Sequence, residues 1–286
     1  MNEPLRILSI GAHPADIFDQ SGGTMAHHVA RGDWVGCVVL THGARVHDEV
    51  ISEQMFHRDV IPEADELRAT MQERAGVKEQ ETRAACAALG VEHIVFFGAD
   101  DAVLLVTEEV VRRLARVLRE LRPDVVLTHF PKEDDGITSA HAIAGQIVMH
   151  ALRLAGSVDP GDTNPPHRAA QVFYFGIGAA STRHGLWDQT GGFACDVFVD
   201  ITDVAEKKLA ALDALVSQGY GGAYARKRIE TSDGAFGLAG DCAYGEGFIS
   251  RNPTTHYYLP VNDRALRQAR ASDHEVMASY SFKLPV

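Results

Sequence analysis

Residues 5–16 read LRILSIGAHPAD, and this stretch decides how the rest of the chain is interpreted. The apolar run that opens it is typical of a strand buried inside a sheet. His13 and Asp16 follow that run three positions apart, where the strand is expected to end. The stretch therefore predicts a buried strand with two potential metal ligands at its carboxyl end.

Apolar runs and helical patterns alternate from there through residue 155, which predicts an α/β fold with a Rossmann-like, mostly parallel sheet and helices on both faces. Strands are predicted at 5–10, 34–41, 91–98 and 124–130, and helices at 21–32, 78–90, 107–122 and 139–156. The segment from Thr41 to Val77 has a weaker pattern and is interpreted as a long polar excursion that is partly helical.

A connection rich in Pro, Gly and Asp follows at 157–168. Beyond it, strands are predicted at 171–178 and 196–201 and a helix at 202–218. We expect one domain over residues 1–286, in which residues 1–155 form the Rossmann-like core. Residues 156–286 are expected to be a C-terminal elaboration that packs on the same domain.

Composition excludes several classes of protein. The chain has 286 residues and a formal net charge of −12, which argues against general binding to nucleic acid or to an anionic membrane surface. No apolar stretch approaches the length of a membrane span, and the first residues lack the apolar core of a signal peptide. The four cysteines are far apart and form no CxxC pair. A reduced, cytoplasmic protein is therefore expected, without a cysteine zinc site.

Three predicted strands end in polar residues, and ligands of an open parallel sheet bind beyond such ends. His13 and Asp16 follow the first strand, and His141 lies at the start of the helix after the fourth. Two imidazoles and one carboxylate with open positions are a common catalytic zinc site. The alternative is that Asp16 caps the next helix and His13 is a hydrogen-bonded core histidine, since fourteen histidines make chance clusters easy.

The same residues resemble the PIG-L/LmbE-like family of zinc-dependent deacetylases. AHPAD followed by SGGTMAHH resembles the family's AHPDD opening and its glycine pair. ETRAACAALGV, FFGADDA, THFPKEDDGITSAH, FVDITDVAEKKLAALDALVSQ and YGEGF resemble later family segments, in the family's order and over most of the chain. The resemblance implies zinc bound by His13, Asp16 and His141.

Two departures from the family pattern affect the expected chemistry. Ala15 stands where family deacetylases have the aspartate that acts as general base. Thr138 and Ala140 stand where the family's HPDH segment has a histidine and an aspartate. Loss of a general base commonly costs about two to four orders of magnitude in rate, so an ordinary amide hydrolase is hard to support unless another group replaces the base.

The 4-oxalomesaconate hydratase branch of the family resembles this chain at the first motif, because it also has Ala-Asp there. The branch's YDH is not reproduced, since this chain reads TSAH. The resemblance implies addition of water to, or its removal from, a small unsaturated carboxylate. The alternatives are a divergent zinc-dependent deacetylase with a relocated base and a non-catalytic metal- or ligand-binding homologue. A homo-oligomer is expected, because family members often form one.

Further residues are candidates for contact with substrate, each with a simpler structural alternative. His42 and Arg45 follow the second strand, and Arg45 is the candidate to grip a substrate carboxylate, or else forms a surface ion pair with Asp48 or Glu49. Asp101 matches a family aspartate near the substrate or caps the next helix. Lys78 stands near the position of a family arginine that contacts substrate, or is simply exposed.

Acid–base candidates are His129 and the acidic run before His141. His129 ends the fourth strand and is an acid, base or substrate ligand, or a structural hydrogen-bonding group. Glu133 and Asp135, in the run that also contains Asp134, are candidates for a relocated base, although most such runs are solvated. Glu246, in the YGEGF segment, has an expected role in packing, subunit contact or chemistry.

Overall fold

The computed structural model of the chain describes residues 3–56, 62–133, 136–176, 194–282 and Leu284. The strands in these ranges are β1 (Arg6–Gly11), β2 (Trp34–Thr41), β3 (His93–Ala99), β4 (Val125–His129), β5 (Gln171–Phe175), β6 (Val197–Asp200) and β7 (Gly245–Ser250). The helices are α1 (Asp16–Arg31), α2 (Glu49–Phe56), α3 (Ala64–Leu89), α4 (Glu108–Leu121), α5 (Ala140–Ala155), α6 (Ala205–Asp213), α7 (Ala223–Arg228), α8 (Gly234–Ala239), α9 (Asp263–Gln268) and α10 (Asp273–Ser279).

The seven strands form one sheet in the order β3-β2-β1-β4-β5-β7-β6. The first five are parallel, and β7 pairs antiparallel with both β5 and β6. The parallel part has the strand order of a Rossmann-like sheet, which confirms the predicted fold class. The strands after residue 155 extend the same sheet.

Two apolar layers cover the two faces of this sheet, as its alternating side chains require. On one face Ile7 of β1 belongs to a cluster with residues of α1, α3 and α6, among them Phe18 and Leu212. On the other face Leu8 belongs to a cluster with residues of α4 and α5, among them Leu118. Helices therefore lie on both faces, as predicted.

Helix ends follow their capping residues closely. α1 ends at Gly32, which has the left-handed φ of 89° that favours glycine. Thr107 and Ser139 cap α4 and α5, because their side chains accept hydrogen bonds from the backbone N–H groups of Val110 and Ala142. These three predicted ends are confirmed.

The segment from Thr41 to Val77 differs most from the prediction. It contains α2 and the first half of α3, which begins at Ala64 and runs for 26 residues. Much of that first half is exposed, so it lacks the apolar stripe that reveals a helix in sequence. α1 also begins earlier than predicted, at Asp16.

The predicted helix at 202–218 is broken into three pieces. A short 3₁₀ turn (Thr202–Val204), α6 and a second 3₁₀ turn (Val216–Gln218) follow one another. The break follows Asp213, whose carboxylate accepts a hydrogen bond from the Gly222 backbone N–H. The end of this segment therefore turns back toward the metal-ligand candidates.

Among the described residues, no helix is both long and apolar enough to cross a bilayer.

Candidate metal centre

The candidate ligands lie where two neighbouring parallel strands end. β1 leads to His13 and Asp16, and its neighbour β4 ends at His129 and leads to His141 in the first turn of α5. From β1 the chain crosses toward β2, whereas from β4 it crosses toward β5, on the opposite side. This is the switch point of the sheet, where an open crevice accepts ligands.

Backbone contacts fix the turn after β1. The Ala12 carbonyl accepts hydrogen bonds from the Thr41 backbone N–H at 2.9 Å and from Thr41 Oγ1 at 2.8 Å. The His13 N–H donates to Asp16 Oδ2 at 2.6 Å, which locks the two ligand candidates relative to each other. Gly43 packs against this turn with a φ of 65°, and a Cβ there would lie 2.8 Å from Pro14 Cδ.

The side chains of three residues converge at this point. His13 Nδ1 lies 3.2 Å from His141 Nε2 and 3.3 Å from Asp16 Oδ2, and His141 Nε2 lies 3.5 Å from Asp16 Oδ1. Tetrahedral zinc ligands bond at about 2.0–2.2 Å, which places neighbouring ligand atoms roughly 3.3–3.6 Å apart. The three residues form a group that could hold a metal ion, and their chemistry and spacing fit zinc.

A second layer of side chains orients His141 and Asp16. Glu133 Oε1 lies 2.7 Å from His141 Nδ1, on the ring nitrogen opposite the convergent one. His129 Nε2 lies 3.1 Å from Asp16 Oδ2 and 3.2 Å from the Ala12 backbone N–H. A carboxylate behind a histidine ligand is a common way to fix the ring and its tautomer.

The pKa values of Asp16 and His141 are shifted in opposite directions. Burial raises the pKa of Asp16, but His141 and His13 outweigh it and hold that pKa well below its usual range. Burial lowers the pKa of His141, but Asp16 and Glu133 outweigh it and raise that pKa well above its usual range. His13 Nε2 is buried without a hydrogen-bond partner in the described part of the chain.

A cavity of about 360 Å³ opens beside the three residues. It is lined by His13, Ala15, Asp16, His47, His141, Gln218, Gly219, Tyr220 and Tyr224. Ala15 forms part of its wall. Asp16 supplies the one carboxylate among these lining residues, so within the described ranges no other carboxylate lines the cavity in place of the family's base.

His47 is the remaining imidazole of the cavity. Its ring meets the edge of His13 with centroids 4.3 Å apart. Burial, with His13 adding to it, lowers the pKa of His47 to about 4, so this ring is neutral near pH 7. The sequence analysis assigned no role to His47.

Lys78 is buried and does not reach the cavity. Its Nζ donates to the His47 backbone carbonyl at 3.0 Å and to Ser217 Oγ at 3.1 Å, and it lies 3.4 Å from an Asp48 carboxylate oxygen. Burial lowers the pKa of Lys78. Lys78, predicted as a substrate ligand, therefore lies behind the cavity wall. There it connects the loop of His47 to Ser217, the residue before Gln218.

The other predicted substrate ligands form a neighbouring group at the ends of β2 and β3. The Asp101 carboxylate accepts the backbone N–H groups of Arg45 and Val46 at 3.0 and 2.7 Å and lies 3.1 Å from His42 Nδ1. Arg45 pairs with Asp100 at 2.7 Å. These hydrogen bonds shape the loop after β2, and none of these side chains lines the cavity.

Asp134 and Asp135 lie outside the described residues. Glu133, the first of the acidic run, contacts His141. Glu246 is 1% exposed, and its carboxylate accepts the backbone N–H groups of Gly23 and Thr24 and pairs with Lys208 Nζ at 2.8 Å. Of the roles expected for Glu246, packing under α1 agrees with this position.

Sequence reasoning missed Gln218, Tyr220 and Tyr224. They follow α6 in the stretch SQGYGGAY, whose glycines signal a turn but not a turn that returns to the end of β1. Gly219 supplies the left-handed backbone of that turn, with a φ of 74°.

The fold and this group of residues define a Rossmann-like α/β protein with a candidate metal centre at the switch point of its sheet. The family model of the PIG-L proteins, described as GlcNAc-PI de-N-acetylase, matches residues 8–152. The chain therefore belongs to the PIG-L family, which confirms the resemblance found in its sequence.

The relatives include two kinds of enzyme. The chain is 31% identical over 202 residues to the 1D-myo-inositol 2-acetamido-2-deoxy-alpha-D-glucopyranoside deacetylase 2 of Catenulispora acidiphila, with 60% of each chain covered. It is 27% identical over 224 residues to the 4-oxalmesaconate hydratase of Pseudomonas putida, with 76% of each covered.

Among solved structures, the N,N'-diacetylchitobiose deacetylase of Pyrococcus horikoshii superposes with a TM-score of 0.68 at 21% identity. The superposition covers 87% of this chain and 84% of that one. At this identity the likeness concerns the fold, and the activity has to be argued from the site.

Proposed function

We propose that the chain binds zinc through His13, Asp16 and His141 and adds water to the carbon–carbon double bond of a small unsaturated carboxylate. The observation that carries this proposal is the wall of the cavity at Ala15. The candidate ligands His13, Asp16 and His141 line the same cavity, yet alanine stands in the sequence where the family's deacetylases have their general base.

The cavity residues suit hydration better than amide hydrolysis. Amide hydrolysis needs a base for water and an acid for the leaving amine. The cavity lining has one carboxylate, Asp16, and it belongs to the ligand group. Hydration needs one proton to reach carbon and has no leaving amine, so the loss of the family's acid–base groups is compatible with it.

Bound zinc would polarise a carbonyl or carboxylate conjugated with the double bond and lower the pKa of water. Asp16, held by His129 and by the His13 N–H, keeps the ligand group in register. Glu133 fixes the ring of His141. His47 is the neutral imidazole in the cavity, and we assign to it the transfer of the proton between water and substrate.

The second candidate is a zinc-dependent amide hydrolase in which His47 has replaced the missing base. The specific support for it is the similarity to a deacetylase at 31% identity, against 27% for the hydratase. This reading predicts release of acetate from N-acetylated amino sugars.

Parallel assays of the zinc-loaded protein distinguish the two. One set follows the loss of ultraviolet absorbance of conjugated unsaturated di- and tricarboxylates, and the other follows release of acetate from N-acetylglucosaminides. We expect zinc-dependent loss of absorbance and no acetate. Acetate release without any hydration would contradict the proposal and favour the amide hydrolase.

A further inference from the structure

Gln218 lines the cavity beside Ala15. Its Oε1 accepts a hydrogen bond from the Ala15 backbone N–H at 3.3 Å. Because a backbone N–H needs an oxygen as its partner, this contact fixes the orientation of the amide and turns Nε2 away from it. Gln218 Nε2 is buried, and in the described ranges it has no hydrogen-bond partner.

An amide donor that has no acceptor among the described residues is available to a bound molecule. A buried donor left unpaired costs about 1–3 kcal/mol, and such groups in folded proteins normally find a partner. The side chain of Ala15 offers none. Gln218 and Ala15 both line the cavity that contains the metal-ligand group, so a molecule bound there can supply the acceptor.

Hydrogen bonds of the preceding residue, Ser217, hold the segment that carries Gln218 in place. Ser217, the preceding residue, donates its backbone N–H and its Oγ to Glu81 at 2.9 and 2.6 Å, and Lys78 Nζ donates to Ser217 Oγ at 3.1 Å. α3 thus anchors the segment that carries Gln218, and the donor is preorganised before a ligand arrives.

We propose that Gln218 Nε2 and the space beside Ala15 form a carboxylate subsite, in which Nε2 donates a hydrogen bond to a substrate carboxylate oxygen. This inference rests on the proposed function, because it assigns a place to the carboxylate of the unsaturated substrate. Hydrogen bonds to charged acceptors are stronger than neutral ones, which favours a carboxylate over a neutral group.

The test uses Gln218→Glu in the zinc-loaded protein, with succinate as a probe that has no double bond to react. Glutamate keeps an oxygen for the Ala15 N–H but replaces the Nε2 donor by a negative oxygen. Exposed Gln72 on α3 does not line the cavity, so Gln72→Glu is the matched control for the added charge. Zinc content and the affinities for succinate and dimethyl succinate are measured near pH 7.5.

We expect Gln218→Glu to keep its zinc and to weaken succinate binding by about tenfold or more, whereas Gln72→Glu and dimethyl succinate show no such change. Succinate affinity within twofold of the wild type would overturn the subsite and leave the proposed function standing. If Gln218→Glu fails to fold or loses zinc, Gln218→Met replaces it, with about a threefold to tenfold loss expected and the same result overturning the proposal. A zinc-loaded wild type that binds no succinate and releases acetate from N-acetylglucosaminides would overturn both.

Discussion

At the scale of single residues, the proposed function depends on Ala15. It is buried, it lines the cavity, and its backbone N–H donates a hydrogen bond to Gln218. Beside it, His13, Asp16 and His141 form a group that could hold a metal ion. Together with Thr138 and Ala140, which stand where the family has a histidine and an aspartate, Ala15 is where the two candidate activities differ.

Ala15→Asp tests that difference directly. A new carboxylate in the cavity would repel the carboxylate of the substrate, so we expect hydration to fall by about tenfold or more without appearance of fast amide hydrolysis. Ala15→Asn has a similar size and no charge, and it separates crowding from repulsion. A gain in acetate release of about two orders of magnitude or more, with hydration unchanged, would contradict the proposed function.

The candidate metal ligands predict the zinc content of the protein and of its variants. His13→Ala and His141→Ala together remove two of the three convergent groups, so we expect near-stoichiometric zinc in the wild type and almost none in the double variant. His150→Ala is the control, because His150 lies exposed on the same helix as His141. Elemental analysis after dialysis gives the measurement, and a wild type that stays free of metal in excess zinc would exclude the metal centre.

At the scale of elements, a buried charged group joins α1 to the C-terminal elements. Lys208 of α6 contacts Asp233 at 2.9 Å and Glu246 of β7 at 2.8 Å, and all three are nearly inaccessible to water. Asp19 of α1 pairs nearby with Arg228 of α7. Two carboxyl groups share one ammonium, so the three groups would have one negative charge in excess if both carboxyls were ionised.

This group predicts a pH dependence of stability. Burial raises the pKa of Asp233 to about 8, with Lys208 opposing the shift and Glu246 adding to it. The unfolded chain has an Asp pKa of about 3.9, so the folded protein binds the extra proton between these values. The contribution of Asp233 to stability is therefore complete below about pH 4 and is lost as the pH rises toward about 8.

Asp233→Asn cannot titrate and provides the reference. We expect the free energy of unfolding of the wild type, relative to this variant, to fall as the pH increases from about 4 to about 8. Denaturant titrations at several pH values measure the difference. A difference that is constant, or that rises with pH, would contradict the raised pKa.

The elements that sequence patterns predicted well are those that bury a clear apolar face. β2 matches its predicted bounds, and α4 begins after its Thr107 cap as expected. The predicted helix began only at residue 78, because the residues in the first half of α3 face solvent and carry no apolar stripe. The segment 202–218 has a continuous helical pattern in sequence, but packing breaks it at Asp213.

At the scale of the whole molecule, the C-terminal part completes the core. Ile201, Leu209 and Phe248 belong to the same buried apolar cluster as Ile7 and Phe18. β5, β7 and β6 also continue the sheet from β4. We propose on these grounds that residues 1–286 form one domain.

A fragment of residues 1–155 tests this proposal. It would expose one face of α1 and α3 together with the free edge of β4, so we expect it to be insoluble or to lack cooperative unfolding. The full chain is expected to unfold in a single transition. A soluble fragment with its own sharp transition would instead establish residues 1–155 as an independent domain.

The sequence alone determined the fold class and singled out the candidate metal ligands that the structure brings together. Strand and helix periods are local, and His13, Asp16 and His141 stand at strand and helix junctions that a parallel sheet brings to one edge. Only the tertiary structure decided that His47 and Gln218 line the cavity, that Lys78 lies behind its wall, and that Arg45 turns to Asp100. Those positions depend on loop paths and on contacts between segments up to 203 residues apart, such as that of Gln218 with Ala15, which no local pattern encodes.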